Sequence, residues 1–369
     1  MQFPGTTNPG GVETWLMNVL QNIDRSRFHF TFCVASEQSR FFDSEIQSLG
    51  AGLIHCPVNG GYRKFAKQFL SILDETRYDV VHSHSMFFSG VVMRLAKKAG
   101  VPIRISHSHN TQDGKPDSIQ RYIYRRLMRR YIQRYATNGV GCSMVAADYL
   151  FTPDWRNRKG YKIATCAVNT NAFRCSVDRK QLLEQFNIPI NAKTIGHVGN
   201  FSTQKNHEFL LPVFTAIIHN RKDVHLFLVG DGPLKPEMEL LADKLGISDH
   251  VTFTGMRDDV PLLIKGLFDL LVFPSRFEGL GLVVVESQAA GVPCLISDVI
   301  PIEATVIEEL VRRESLKAGP KVWAETALEM LESPPYDKDK AIEQIEKSTF
   351  DITSSVKFLS DLYSGQLSP

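Results

Sequence analysis

Two stretches of this chain, roughly 190 residues apart, are written in the same order. Tyr78, Asp79, Val80 and Val81 answer to Phe268, Asp269, Leu270 and Leu271: an aromatic residue, an aspartate, then an apolar run. A serine follows each run (Ser85, Ser275), then a glycine (Gly90, Gly279). Ala99-Gly100-Val101-Pro102 and Ala290-Gly291-Val292-Pro293 come next, and each leads into a second apolar run, at 103–106 and 294–297. Short apolar runs bounded by Gly and Pro read as buried strands. A strand–helix–strand unit recurring at so long a period implies two similar domains rather than a solenoid.

The alternation extends through both halves. Strands are expected at 28–34, 80–83, 104–108, 137–142, 162–168, 194–198, 224–229, 251–254, 270–273 and 294–297. Helices are expected at 14–23, 65–76, 208–220 and 236–245. This order predicts an α/β protein with parallel, doubly wound sheets. Ligands then bind at the carboxyl ends of the strands, where strand order reverses. With 369 residues, two domains are the expectation. The polar stretch 169–176 suits the junction, giving domains 1–168 and 169–345.

Hydrophobic residues make up 43% and charged residues 22%, an ordinary globular balance. A net charge of +2 argues against nucleic acid as a partner. No apolar run reaches the ~18 residues of a membrane span, and the opening MQFPGTTNPGG lacks a signal peptide's apolar core. Six scattered cysteines without a CxxC pair fit reduced thiols and a cytoplasmic location.

Residues 268–298 carry the chemistry. A buried run ends at Pro274 and Ser275; Glu278, Gly279, Leu280 and Gly281 then turn into a helix that contains Glu286. A glycine turn from strand into helix is an anion site, because free backbone N–H groups and the helix dipole point at the same place. Glutamates beside it repel phosphate but accept hydrogen bonds from hydroxyls. Two glutamates eight residues apart are common on solvated helix faces. Glu286, however, sits within LVVVES, where an unpartnered charge is costly to bury. Phosphate on amides and hydroxyls on carboxylates describe a nucleotide-sugar pocket.

Further segments extend the pattern: Gly10-Gly11-Val12-Glu13-Thr14, Ser106-His107-Ser108-His109-Asn110, Gly196-His197-Val198-Gly199 with Gln204-Lys205-Asn206-His207, Val229-Gly230-Asp231-Gly232-Pro233, and Thr254-Gly255. Together with the Glu278 and Glu286 pair they resemble the GT-B-fold retaining glycosyltransferases of family 4, of the exopolysaccharide type called EpsF-like. The resemblance implies two Rossmann-like domains facing across a cleft, with the donor held by the second and the acceptor by the first. By that resemblance Glu286 binds ribose hydroxyls and Glu278 binds hydroxyls of the transferred sugar, with the Gly279 and Leu280 amides nearby. Lys205 contacts the diphosphate and offsets charge on the leaving group, so neither a metal nor a resident cofactor is needed. Ser275, Gly230, Asp231 and Arg257 belong to the same donor-binding rim, and Gly10 and Gly11 let backbone approach the diphosphate. His109 faces the reacting sugar and is the third catalytic candidate beside Lys205 and Glu278. It is favoured over His107 because it is nearer the strand's carboxyl end.

The implied reaction moves a hexose from a nucleotide-diphosphate sugar, expected to be a UDP-sugar, to a glycan or lipid-linked acceptor with retention. Sugar epimerases share the architecture, and an inactive nucleotide-sugar binder is a further alternative. Asn200 stands where a basic residue often accompanies the lysine. The strand of about six apolar residues that normally precedes the GG turn is expected to be missing. Residues 346–369 are expected to return to the first domain, through a helix at 354–362. The acid-free segment 118–147 contains a basic amphipathic helix, 121–134, with arginines at 121, 125, 126, 129, 130 and 134. It suits peripheral contact with an anionic membrane, on the inner face of the plasma membrane, or else a solvated face whose arginines pair elsewhere.

Overall fold

The computed structural model describes residues 1–38 and 40–367. The chain divides into two units: Met1–Ala167 together with the segment from Ile352 onward, and Val168–Asp351. The crossings lie at 167/168 and 351/352 rather than at 168/169 and 345/346. The reason is a bridge: Val168 pairs with Asp351, and its N–H donates to the Phe350 carbonyl at 2.8 Å. The outgoing and returning chain are thereby zipped together within the second unit.

The first unit is built on β1 (Gln2–Gly5), β2 (Thr31–Val34), β3 (Gly52–His55), β4 (Val80–Ser83), β5 (Ile103–Ser108), β6 (Asn138–Gly141) and β7 (Tyr161–Ile163), ordered β3-β2-β1-β4-β5-β6-β7. The second has β8 (Lys193–Val198), β9 (Val224–Val229), β10 (Val251–Gly255), β11 (Leu270–Phe273), β12 (Cys294–Ser297) and β13 (Val311–Glu314), ordered β10-β9-β8-β11-β12-β13. All these strands pair in parallel. Helices cover both faces, so central strands read as continuous apolar runs; every residue of β9, VHLFLV, is buried. Strand order reverses between β1 and β4, and between β8 and β11. The repeated sequence unit falls on β4–β5 and β11–β12, so it marks the same side of the reversal in each sheet.

The strand expected to be missing is present. β1 has four residues and sits in the middle of its sheet, with Gln2 opposite both Phe32 and His82. The ladder begins at the first residue: the Met1 nitrogen donates to the Val80 carbonyl at 2.7 Å, and His82 N–H donates to the Met1 carbonyl at 2.9 Å. Its shortness and Pro4, which cannot donate to a ladder, make the segment read as a turn. Phe3 anchors it, 1% exposed and edge-on to Phe65 and Phe69 at 6.0 and 5.8 Å.

From Asp351 the chain enters the helix Ile352–Tyr363, which packs on the helix Gly11–Asn22 in the first unit. Trp15 Nε1 donates to Ser355 Oγ at 3.1 Å, and Ser355 Oγ donates to the Thr165 carbonyl. The six cysteines are free thiols, and only Cys175 is exposed.

Phe3→Ala should cost the first unit about 3–5 kcal/mol, the usual cost of emptying an aromatic core position. Denaturant unfolding followed separately in the two units checks this: the first transition moves to lower denaturant and the second stays.

Candidate functional site

In the second unit the loops that leave β8, β9 and β10 are tied edge to edge. Gly199 N–H donates to the Val229 carbonyl at 2.9 Å, Phe201 N–H to the Asp231 carbonyl at 3.0 Å, and Gly230 N–H to the Gly255 carbonyl at 2.9 Å. Gly230 has φ +136°, and a Cβ there would run into the Gly199 carbonyl oxygen. The contact explains why this turn is glycine. Asn200 is exposed and places its side-chain oxygen against Gly232. Asp231 accepts from Gly232 N–H at 2.8 Å.

Lys205 arises from the same rim. Its stem packs on Gly199, its Nζ lies 4.6 Å from the Phe273 ring centroid, and it forms a 2.6 Å ion pair with Glu278 Oε1. Asn206 secures the loop: in the left-handed conformation (φ 59°) it starts the helix His207–Asn220, and its Nδ2 donates to the Pro274 carbonyl at 3.0 Å. Arg276 answers, through Nε to Asn206 Oδ1 at 3.0 Å and N–H to the Gln204 carbonyl at 2.8 Å. Lys205 and Glu278 thus belong to two loops laced into one. Ser275 lies within this lacing, its hydroxyl oxygen buried and unpartnered, its carbonyl accepting from Ser297 Oγ at 2.6 Å.

Gly279 and Leu280 lead to Gly281, whose φ of 85° turns the chain into the helix Leu282–Ala289. No side chain caps that helix. The Val284 N–H closes back on the Gly281 carbonyl at 2.9 Å, and the positive end of the helix dipole makes this turn receptive to an anion. Glu286 lies on this helix, half-buried, and burial pushes its carboxyl up to about 7. Among the described residues none donates a hydrogen bond to that carboxylate. The two glutamates thus differ in setting, one paired with a lysine and one waiting for a donor. Arg257 is placed differently from expectation: its guanidinium is taken up by Asp259, at 2.8 and 2.5 Å.

In the first unit, Gly10 begins the helix Gly11–Asn22 in extended conformation; a Cβ at Gly10 would stand 2.6 Å from Glu13 Oε2. Burial pushes the Glu13 carboxyl up to about 7. Sequence reasoning gave Glu13 no role, although an acid in the first turn after two glycines was there to be read. The structure separates the two histidines. His107 is 0% exposed within β5, whereas His109 stands half-buried just past its end. His109 is bonded to His84 Nδ1 at 2.9 Å and to Cys166 Sγ at 3.5 Å, and burial lowers its imidazole to about 3. His82 and His84 were also missed. Their signal was the matching His-Ser-His spelling of 82–84 and 107–109. Two trios, His82, His84 and His107, and His107, His109 and Cys166, are close enough to hold a metal ion among the described residues.

The basic helix, Ile119–Tyr135, divides between the two readings of it. Arg121 and Arg125 pair with Asp113 at 2.5 and 2.7 Å, and Arg129 donates to the Tyr149 carbonyl. Arg126, Arg130 and Arg134 are exposed beside Ile119, Tyr122, Ile123 and Leu127, and among the described residues none of these three has a carboxylate at ion-pair distance. No helix among the described residues is long and apolar enough to cross a membrane.

Known proteins resemble this chain in sequence and in fold. The sequence profile of Glycosyl transferases group 1 matches residues 178–348, and that of the Glycosyl transferase 4-like domain matches residues 10–157. The chain is 31% identical over 366 residues to the glycosyltransferase EpsF of Bacillus subtilis (strain 168), covering 96% of this chain and 94% of that one. It is 24% identical to the capsular polysaccharide biosynthesis glycosyltransferase CapH of Staphylococcus aureus, covering 96% of each. In three dimensions it superposes on Anabaena HepE, crystallised with UDP, with TM-score 0.78, 17% identity and 99% of both chains covered. The chain therefore belongs to the GT-B-fold glycosyltransferases of family 4, in the EpsF-like group.

Proposed function

We propose that this glycosyltransferase moves a hexose from UDP-sugar to a hydroxyl of a glycan or lipid-linked acceptor, with retention and without a metal, in exopolysaccharide or cell-surface glycan assembly. The observation that carries the reading is the contrast at the second unit's strand reversal: an unpartnered, half-buried Glu286 beside an uncapped helix end, and a Lys205–Glu278 pair on the loops before it. Glu286 takes the ribose hydroxyls. Glu278 takes hydroxyls of the sugar, with the Gly279 and Leu280 amides alongside. Lys205 and Asn200 serve the diphosphate, while Gly230, Asp231 and Ser275 frame the rest of the donor.

As the bond to the leaving phosphate breaks, negative charge grows on its oxygen, and the Lys205 ammonium offsets it without any metal. The leaving oxygen takes the acceptor's proton on the same face, so Glu278 and Glu286 bind hydroxyls and do not act as the nucleophile and acid of a retaining hydrolase. The UDP preference is supported by HepE, which also crystallised with UDP-glucose. EpsF and CapH, by their names, support the glycan setting. The exposed Arg126, Arg130 and Arg134 with their apolar neighbours support the reading of a cytoplasmic enzyme that docks peripherally on the inner membrane face.

Calorimetric titration with UDP tests the donor site. Glu286→Ala should weaken binding by about 1.5–3 kcal/mol, the worth of hydrogen bonds to a charged group. Loss of no affinity for any nucleoside diphosphate would sink the assignment, and binding without sugar transfer would identify an inactive binder.

A carboxylate raised to about 7 also has a pH signature. Hydroxyl donors need the ionised form, so UDP affinity should rise between pH 6 and 8, and Glu286→Gln should flatten the rise. Because the folded pKa lies above the unfolded one, the group's stabilising contribution is intact below pH ~4 and lost as pH climbs past 7. Glu286→Gln should therefore raise the melting temperature at pH 8 and leave it unchanged at pH 4.

For the membrane, Arg126→Ala with Arg130→Ala should remove about 2 kcal/mol of binding to anionic vesicles, near 1 kcal/mol per arginine. Flotation that is unchanged, or equal on neutral vesicles, would defeat the electrostatic docking.

A further inference from the structure

The four imidazoles of His82, His84, His107 and His109 form one cluster in the first unit, with ring centroids between 3.9 and 5.5 Å apart for the pairs in contact. Among the described residues no carboxylate is hydrogen-bonded to any of them. Burial without an acidic partner favours the neutral ring, and burial indeed lowers the pKa of all four. A neutral imidazole has one N–H and one lone pair. Each contact must then join a donor to an acceptor, and the orientation of a single group decides the rest.

That group is Gln2. Its Oε1 can only accept, so His84 Nε2 carries the proton that bridges them at 3.0 Å. His84 Nδ1 is then bare, and His109 Nε2–H donates to it at 2.9 Å. His109 Nδ1 is left as an acceptor, and the Cys166 S–H donates to it at 3.5 Å. On the other side, Gln2 Nε2–H donates to Tyr363 Oη at 2.9 Å, which turns the phenol hydrogen toward His82 Nδ1 at 2.8 Å. His82 Nε2–H donates to His107 Nδ1 at 3.2 Å. The run ends at His107 Nε2, which is buried without a partner.

We propose that Cys166, His109, His84, Gln2, Tyr363, His82 and His107 form one directed hydrogen-bond chain that locks all four histidines in the Nε2–H form, with Cys166 as a positioning residue for His109 and Tyr363 holding His82 and His107. The functional part rests on the reading that puts His109 at the reacting sugar. Both ring nitrogens of His109 are occupied, so it meets the sugar as a neutral ring of fixed orientation and not as a free base. Because Gln2 joins the two halves, no single bond can reverse unless its neighbours reverse too. The same nitrogens could instead bind a metal, but coordination consumes the lone pairs that this chain uses as acceptors, so the two arrangements exclude each other.

Long-range proton–nitrogen NMR spectra of the full chain, with ring-labelled histidine, report each tautomer. The expected result is Nε2–H at all four positions in the unmodified protein. Tyr363→Phe should release His82 and His107 into mixed tautomers and leave His84 and His109 fixed. Cys166→Ala should leave His109 as Nε2–H, because His84 Nδ1 still needs its donor, but should shift the His109 Nδ1 resonance, loosen the ring and lower kcat roughly tenfold to a hundredfold at unchanged UDP affinity, the range of a misplaced reacting geometry. Cys166→Ser, which keeps a donor, should restore both. A protonated, metal-bound or Nδ1–H ring at His84 or His109 would overturn the chain, as would Cys166→Ala leaving the His109 Nδ1 resonance unmoved. Tautomers as expected with kcat unchanged would uphold the chain and overturn only the placement of His109 at the sugar.

Discussion

Everything at the donor rim depends on how β11 is held against β8. Both strands are buried on both faces, so their polar backbone must be satisfied within the protein. Leu270 and Leu271 stand opposite Ile195 and Gly196. The register is pinned at its entrance by one carboxylate: Asp269 Oδ2 accepts from Thr194 N–H at 2.8 Å and from Arg179 at 2.7 Å, with Thr194 Oγ1 also in reach. A slip by one residue would turn every side chain of β11 to the opposite face. It would also carry Pro274, Ser275 and the loop to Glu278 away from Asn206 and Lys205. The loop that carries Glu278 is therefore set by a bond at the far end of the strand.

The aspartate was legible beforehand, because it recurs as Asp79 at the entrance to β4. That repetition fixed the two-domain α/β reading, and β4, β9, β11 and β12 lie where their apolar runs place them. What escaped were short or edge strands. β3 and β13 close one edge of each sheet and carry half-exposed or charged residues, GLIH and VRRE, so no apolar run announces them. β1 escaped for another reason: four residues containing a proline do not look central until their neighbours are known.

The site was legible to a similar depth. Glu278, Glu286, Lys205 and the glycine turns lie within motifs whose spacing a sequence displays. The state of each group was not. Nothing in LVVVES tells that Glu286 lacks a donor while Glu278 has a lysine, since that depends on Asn206 and Arg276 drawing two distant loops together. Arg257 was expected on the donor-binding rim but is engaged by Asp259 two residues on, a pairing that a turn decides locally. The histidine cluster needed β4 and β5 side by side, Gln2 from β1 and Tyr363 from the last helix.

The zipped crossing at Val168 and Asp351 has a consequence for biosynthesis. The second unit is one uninterrupted stretch, inserted between the body of the first unit and its closing helix. A domain emerging from the ribosome folds when its whole sequence is available. The order of completion is thus inverted with respect to the order of synthesis. The first unit, though made first, waits for Ser355 and Tyr363, and the inserted unit can finish while its host is still incomplete. In that interval the helix Gly11–Asn22 lacks the cover of Ile352–Tyr363, so the nascent first unit exposes apolar surface of the kind chaperones recognise.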